Sequence, residues 1–150
     1  MRKACFLFGH RYCSEDILPE IEQAVERLYT TNGVVDFYVG SRGVFDSLAT
    51  TAVKRVKKKY PDMKLYLVLA YHPAERPVEL TVGFDGSYYP PLENVPRPYA
   101  IVRANRYMVD TADAVICYVK HPGNARELLA YARRRKKEAL PVVNLGEQLG

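Results

Sequence analysis

Ala4-Cys5-Phe6-Leu7-Phe8-Gly9-His10-Arg11 is the stretch that decides the fold: a short apolar run, a glycine, then two polar residues. A run of this length bounded by glycine reads as a buried strand, and the next twenty or so residues read as helix. Ile17, Ile21, Ala24, Val25 and Leu28 recur at helical spacing, Pro19 fits a first turn, and Gly33 is a stop signal. Val35–Val39 is then a second strand, closed by Gly40-Ser41-Arg42-Gly43. The next helix carries Phe45, Leu48, Ala49, Ala52, Val53 and Val56 as one apolar stripe. Leu65–Tyr71 is almost continuously apolar, as a parallel strand covered on both faces requires.

Regularity breaks at 72–96, where Pro73, Pro77, Pro90, Pro91 and Pro96 exclude a long helix. Asp85-Gly86 between Leu80–Phe84 and Ser87–Tyr89 predicts a small hairpin. A helix is expected over Arg97–Thr111, a fourth strand at Ala114–Val119, a last helix over Gly123–Glu138 and a fifth strand at Pro141–Leu145. Strands alternating with helices imply right-handed crossovers, and so an α/β domain of three layers, Rossmann-like, with a mainly parallel five-stranded sheet. Residues 1–150 form one such domain, with 72–96 as an inserted loop or hairpin. In the order 3-2-1-4-5, the first and fourth strands flank the crevice in which such sheets bind ligands.

The residues just past each strand therefore matter most. Gly9-His10-Arg11 offers close backbone approach and a planar guanidinium fork. Gly40-Ser41-Arg42-Gly43 and Lys120-His121-Pro122-Gly123-Asn124 each open onto a helix, whose first N–H groups suit an anion. Three such turns at one sheet edge have a phosphate-bearing ligand as their simplest physical explanation. Asp46, in the first turn after its loop, either complements the positive helix end or binds a ribose hydroxyl or amine. Glu127 has the same ambiguity at the last helix. Tyr88, Tyr89 and Tyr99 are candidates to stack on a base.

Several classes lack their motif. There is no GxxxxGK[ST], no GxGxxG and no GxSxG. His10, His72 and His121 all come just after strands, yet no HxxxH or cysteine ligand pair accompanies them, so no metal is expected. No other cofactor has a motif either. Of three cysteines, Cys5 and Cys117 read as core and Cys13 as loop, with His10 its nearest base. No CxxC pair occurs, and reduced thiols point to a cytoplasmic setting. No apolar run among the 150 residues is long enough to cross a membrane. The net charge of +5 lies in two runs, Lys54–Lys59 and Arg133–Lys137. Set those ten aside, and twelve basic residues face seventeen acidic ones. The runs read as solvated helix ends, with a nucleic-acid footprint as the less favoured reading.

Cys5–Arg11 together with Phe37–Asp46 resembles the small bacterial proteins of the SLOG superfamily, the group labelled DUF1273 or YpsA-like. The likeness continues through Tyr89-Pro90, Val95-Pro96-Arg97, Asn105-Arg106-Tyr107-Met108, Ala112-Asp113 and Val142-Val143-Asn144-Leu145, nearly the whole chain. It implies a Rossmann-like fold and a pocket for a nucleotide or nucleotide-derived metabolite, lined by Gly9, His10, Arg11, Gly40, Gly43, Asp46 and Asn105. Relatives commonly self-associate, so a homo-oligomer is implied too. The Lonely Guy phosphoribohydrolases of the same superfamily cleave the N-glycosidic bond of nucleoside monophosphates. Their Arg-Lys-x-x-Met stretch aligns its arginine with Ala104, leaving Arg103 one place off, and their Pro-Gly-Gly-x-Gly-Thr-x-x-Glu loop is reduced to Pro122-Gly123-Asn124-Ala125-Arg126-Glu127.

Two functions stand as expectations. The first is ligand binding at the carboxyl ends of the strands by Gly9, His10, Arg11, Gly40, Ser41, Arg42, Gly43, Asp46, Arg103, Asn105, Gly123 and Asn124, catalysis not assured. The second is N-glycosidic hydrolysis, with Asp46 and Glu127 as the carboxylates and Arg11, Arg42 or Arg103 holding phosphate.

Overall fold

The computed structural model describes residues 2–135 and 141–148. The opening run forms β1 (Lys3–Gly9), with Cys5 through Phe8 buried in succession. Helix α1 (Leu18–Asn32) buries Ile21, Ala24, Val25 and Leu28 and ends at Gly33, whose φ of 71° turns the chain left-handed. Next come β2 (Val34–Val39), α2 (Val44–Lys57) and β3 (Lys64–Val68). After the irregular segment lie a short strand β4 (Gly86–Tyr88), α3 (Ala100–Thr111), β5 (Ala114–Tyr118), α4 (Asn124–Arg135), β6 (Val142–Asn144) and the single turn α5 (Leu145–Gln148).

Among the described residues the sheet has six strands in the order β4-β3-β2-β1-β5-β6, all pairs parallel. The chain winds outward from β1 through β2 to the β4 edge, then crosses back through α3 to β5 on the opposite side of β1. With right-handed crossovers, α1 and α2 cover one face and α3 and α4 the other. All five residues of β5 are buried, as expected for a strand with a helix layer on each side. The reversal of winding direction falls between β1 and β5, where Gly9 lies opposite Tyr118.

The expected five-stranded sheet thus has a sixth strand, and the expected hairpin at Asp85-Gly86 does not form. Leu80–Phe84 contains no strand. Asp85 instead tethers this segment to β3: its N–H donates to the Leu65 carbonyl, and its carboxylate accepts the Leu65 N–H and pairs with Lys57 at 2.6 Å. Gly86–Tyr88 then runs parallel beside Tyr66–Val68. The helix expected to begin at Arg97 starts as a 3-10 turn, Arg97–Tyr99. Of the last predicted helix, residues 136–138 lie outside the described residues.

Both basic runs serve the fold locally. Lys57 and Lys59 pair with Asp85 and Glu26, Arg55 with Glu22, and Lys54 donates to Thr81. Arg133 and Arg135 pair with Glu147 and Asp110. Lys136 and Lys137 of the second run lie outside the described residues.

Candidate functional site

The turns after β1, β2 and β5 line one cavity of about 600 Å³ at the carboxyl edge of the sheet. Gly9, His10 and Arg11 come from the first turn, Gly40, Ser41, Arg42 and Gly43 from the second, and His121, Pro122, Gly123 and Asn124 from the third. Asp46 joins them from α2 and Asn105 from α3. An apolar wall is supplied by Val68 and Ala70 at the end of β3, Ile101 and Ala104 of α3, and Leu128 of α4. Volume and mixed lining both suit a small organic ligand with a charged end.

The first two turns are locked against each other. A Cβ on Gly9 would lie 2.5 Å from the Phe45 ring, which is fully buried and has nowhere to go. The Val44 N–H at the start of α2 donates to the Arg11 carbonyl at 2.7 Å, tying the β1 turn to the β2 turn. Gly43 has φ 125° and sits so close to Arg11 that a Cβ would be 2.7 Å from its Cα. Asp46 completes the lock: its Oδ2 accepts the Arg42 N–H at 2.9 Å, and a Cβ on Gly40 would lie 2.7 Å from that same oxygen. Burial pushes the Asp46 carboxyl above the usual range, against the opposing pull of the Arg42 N–H and guanidinium. Asp46 is therefore a loop-positioning residue whose carboxylate also faces the cavity.

His10 performs a comparable task between β1 and β5. Its Nε2 accepts the N–H groups of Lys120 (2.9 Å) and His121 (3.3 Å), and its backbone N–H donates to the Tyr118 carbonyl. An accepting Nε2 places the neutral ring's proton on Nδ1. The His121 ring stacks on it at 3.6 Å with 6° between planes. Burial, the neighbouring His121 and Arg126 together hold the His10 pKa below its ordinary value.

Some expected residues fall elsewhere. Arg103 is exposed on α3 outside the cavity, and Ala104 takes the lining place. One position along a helix rotates a side chain by about 100°. Glu127 is exposed one turn into α4, likewise outside, its N–H bonded to the Gly123 carbonyl. Tyr88 joins Tyr38 and Tyr107 in an aromatic cluster, Tyr89 packs edge-on against His72, and Tyr99 is exposed; none lines the cavity. The histidines divide, His72 lying with Tyr89 apart from the other two, and among the described residues no three metal-ligating side chains converge. A Cys13–His10 nucleophilic dyad has no support. Burial and Asp46 push the Cys13 thiol up, and the His10 Nε2 is occupied by backbone donors. Most lining residues that sequence reasoning missed are apolar, such as Val68, Ile101 and Leu128, which in sequence are indistinguishable from core; the exposed Tyr12 was missed as well.

No protein-family model matches the chain, and no curated protein matches it. Among solved structures, the molybdenum cofactor binding protein from the phototrophic bacterium Rippkaea orientalis is similar in fold, with a TM-score of 0.61 and 17% identity. The match covers 99% of this chain and 82% of that one. At this identity the likeness bears on architecture: the chain has a Rossmann-like α/β fold with a parallel sheet over essentially its whole length.

Proposed function

We propose that this protein binds a nucleotide or nucleotide-derived metabolite in the crevice at the carboxyl ends of its strands. The observation that carries this reading is the convergence of three glycine-bearing strand ends, two helix N-termini and the Arg11 and Arg42 side chains on one cavity with an apolar wall. Backbone amides and guanidinium groups suit phosphate, and the wall of Val68, Ile101, Ala104 and Leu128 suits a flat ring. The SLOG-like stretches support the same assignment, as does a neighbour of the same fold that binds the molybdenum cofactor. The reading places the protein in the cytosol, with Cys5, Cys13 and Cys117 unpaired. Its partner is a small molecule rather than nucleic acid or a membrane, and no described helix is long and apolar enough to cross a bilayer. Self-association belongs to the same expectation and is measured by light scattering.

Isothermal titration against nucleoside mono- and diphosphates, ADP-ribose, NAD and the molybdenum cofactor tests the proposal. At least one should bind, and Arg11→Ala with Arg42→Ala should weaken it roughly tenfold or more. Silence across the panel from folded protein would overturn the reading.

A hydrolytic alternative rests on Asp46 alone. It is the one carboxylate among the described lining residues, and its raised pKa favours carrying a proton. The reading predicts release of free base from AMP, followed by chromatography and lost in Asp46→Asn; no release above the variant's background discards it.

A further inference from the structure

Beyond the strand-end turns, three arginines gather around Tyr71, which directly follows the cavity-lining Ala70. The guanidinium carbons of Arg76, Arg97 and Arg42 lie 4.0, 5.4 and 5.6 Å from the centre of the Tyr71 ring. They come from three separate places: the turn after β3, the start of the 3-10 turn that precedes α3, and the loop before α2. Arg76 is presented by a tight turn in which the N–H groups of Glu75 and Arg76 both donate to the His72 carbonyl. Glu75 pairs with Arg97. Among the described residues neither Arg42, Arg76 nor Arg11, which lines the same cavity, forms a direct ion pair, although Asp46 attracts the Arg42 guanidinium from a distance. Attraction between a cation and an aromatic face accounts for one guanidinium stacked on the ring. It does not account for three gathered there with only one of them, Arg97, directly ion-paired, because like charges at this range repel. Such a cluster is stabilised by an anion, and planar guanidinium forks match phosphoryl oxygens.

Arg42 belongs to both features. It lines the cavity beside the α2 N-terminus and also borders the Tyr71 cluster, and Tyr71 comes directly after the lining residue Ala70. We infer that the cavity continues past the end of β3 into a second anion subsite formed by Arg42, Arg76 and Arg97 around Tyr71. Its ligand therefore carries at least two linked phosphoryl groups, as a nucleoside diphosphate or a pyrophosphate-bridged metabolite does. This inference rests on the nucleotide reading above and narrows its substrate class. One phosphoryl group occupies the glycine turns, and the next reaches the arginine cluster through Arg42.

The test is titration of the full chain with inorganic phosphate and with pyrophosphate at fixed ionic strength. Pyrophosphate should bind about tenfold tighter or more than phosphate. The Arg76→Ala/Arg97→Ala double variant should abolish that preference while leaving phosphate binding intact. Arg27→Ala/Arg134→Ala, which removes the same charge from exposed helix positions, should keep it. Glu75→Gln frees Arg97 from its carboxylate and should tighten pyrophosphate binding, an increase that a merely structural Glu75 would not give. If pyrophosphate binds no better than phosphate, or the charge-matched control loses the preference equally, the second subsite is wrong and the nucleotide pocket stands. If neither anion nor any nucleotide binds, both fall together.

Discussion

The β1–β2 side of the crevice and its β5 side carry the same sequence signature, a glycine turn opening onto a helix, but for different physical reasons. On the β1–β2 side every glycine is required by the protein itself. Phe45 fills the space beside Gly9, Asp46 the space beside Gly40, and the Arg11 backbone the space beside Gly43. On the β5 side a Cβ added to Gly123 would meet nothing within 4 Å, although its φ of 144° still favours glycine. One turn is a rigid anchor; the other is open and has room for a ligand. A glycine after a strand thus carries two distinct meanings, and only the surrounding packing separates them.

Substitution at the two turns should separate them in practice. Gly43→Ala places a side chain at a positive φ and against backbone atoms that cannot yield. It should cost about 3 kcal/mol or more, a fall in Tm of roughly 6–12 °C by thermal melting, and abolish ligand binding.

His10 bridges the two sides, and His10→Phe keeps a ring while removing the acceptor for the Lys120 and His121 N–H groups. It should cost about 1–3 kcal/mol. The wild-type protein should also lose stability as pH falls through about 6.5, the ordinary value for histidine, toward the lower value held in the fold. In that window the unfolded chain binds the extra proton, so stability rises with pH. Denaturant titrations across the range should show this component missing in the variant.

Gly123→Ala should cost only about 1 kcal/mol, from backbone conformation alone. If the open turn holds phosphate, affinity should fall much more than stability; an equal loss of both would put Gly123 in the same class as Gly43. The smallest effect is expected for Asp46→Asn, which retains an oxygen to accept the Arg42 N–H and removes a charge disfavoured by burial. Stability at neutral pH should rise by less than about 1 kcal/mol. That gain should vanish as pH falls through the raised pKa of Asp46, where the wild-type carboxyl takes up its own proton.

Much of the fold was legible because its signals are local. The buried run Cys5–Phe8, the stripe along α2 and the stop at Gly33 each impose one conformation on a short segment. The layered parallel arrangement followed from right-handed crossovers, and the order 3-2-1-4-5, assumed for the crevice, matches the five corresponding strands. A strand was expected near Gly86–Tyr88 as a hairpin arm, but its parallel pairing with β3 was missed, because it depends on the tether that Asp85 makes to Leu65 far along the chain. The three strand-end turns of the candidate site were legible for the same local reason. Arg103 and Glu127 were misplaced because a helical phase error of one residue moves a side chain off a cavity wall. Arg76 and Arg97 were not among the expected site residues, since nothing local in an irregular, proline-rich segment indicates that two distant arginines share one tyrosine ring.

The most direct test is amide chemical-shift mapping by heteronuclear NMR during titration with ADP-ribose. The account predicts perturbations concentrated at Gly9, Arg11, Ser41, Gly43 and Gly123, where backbone N–H groups surround the cavity. Shifts confined to the helix ends at Lys54–Lys59 and Arg133–Arg135 would contradict it, placing the anion on the solvated basic runs instead.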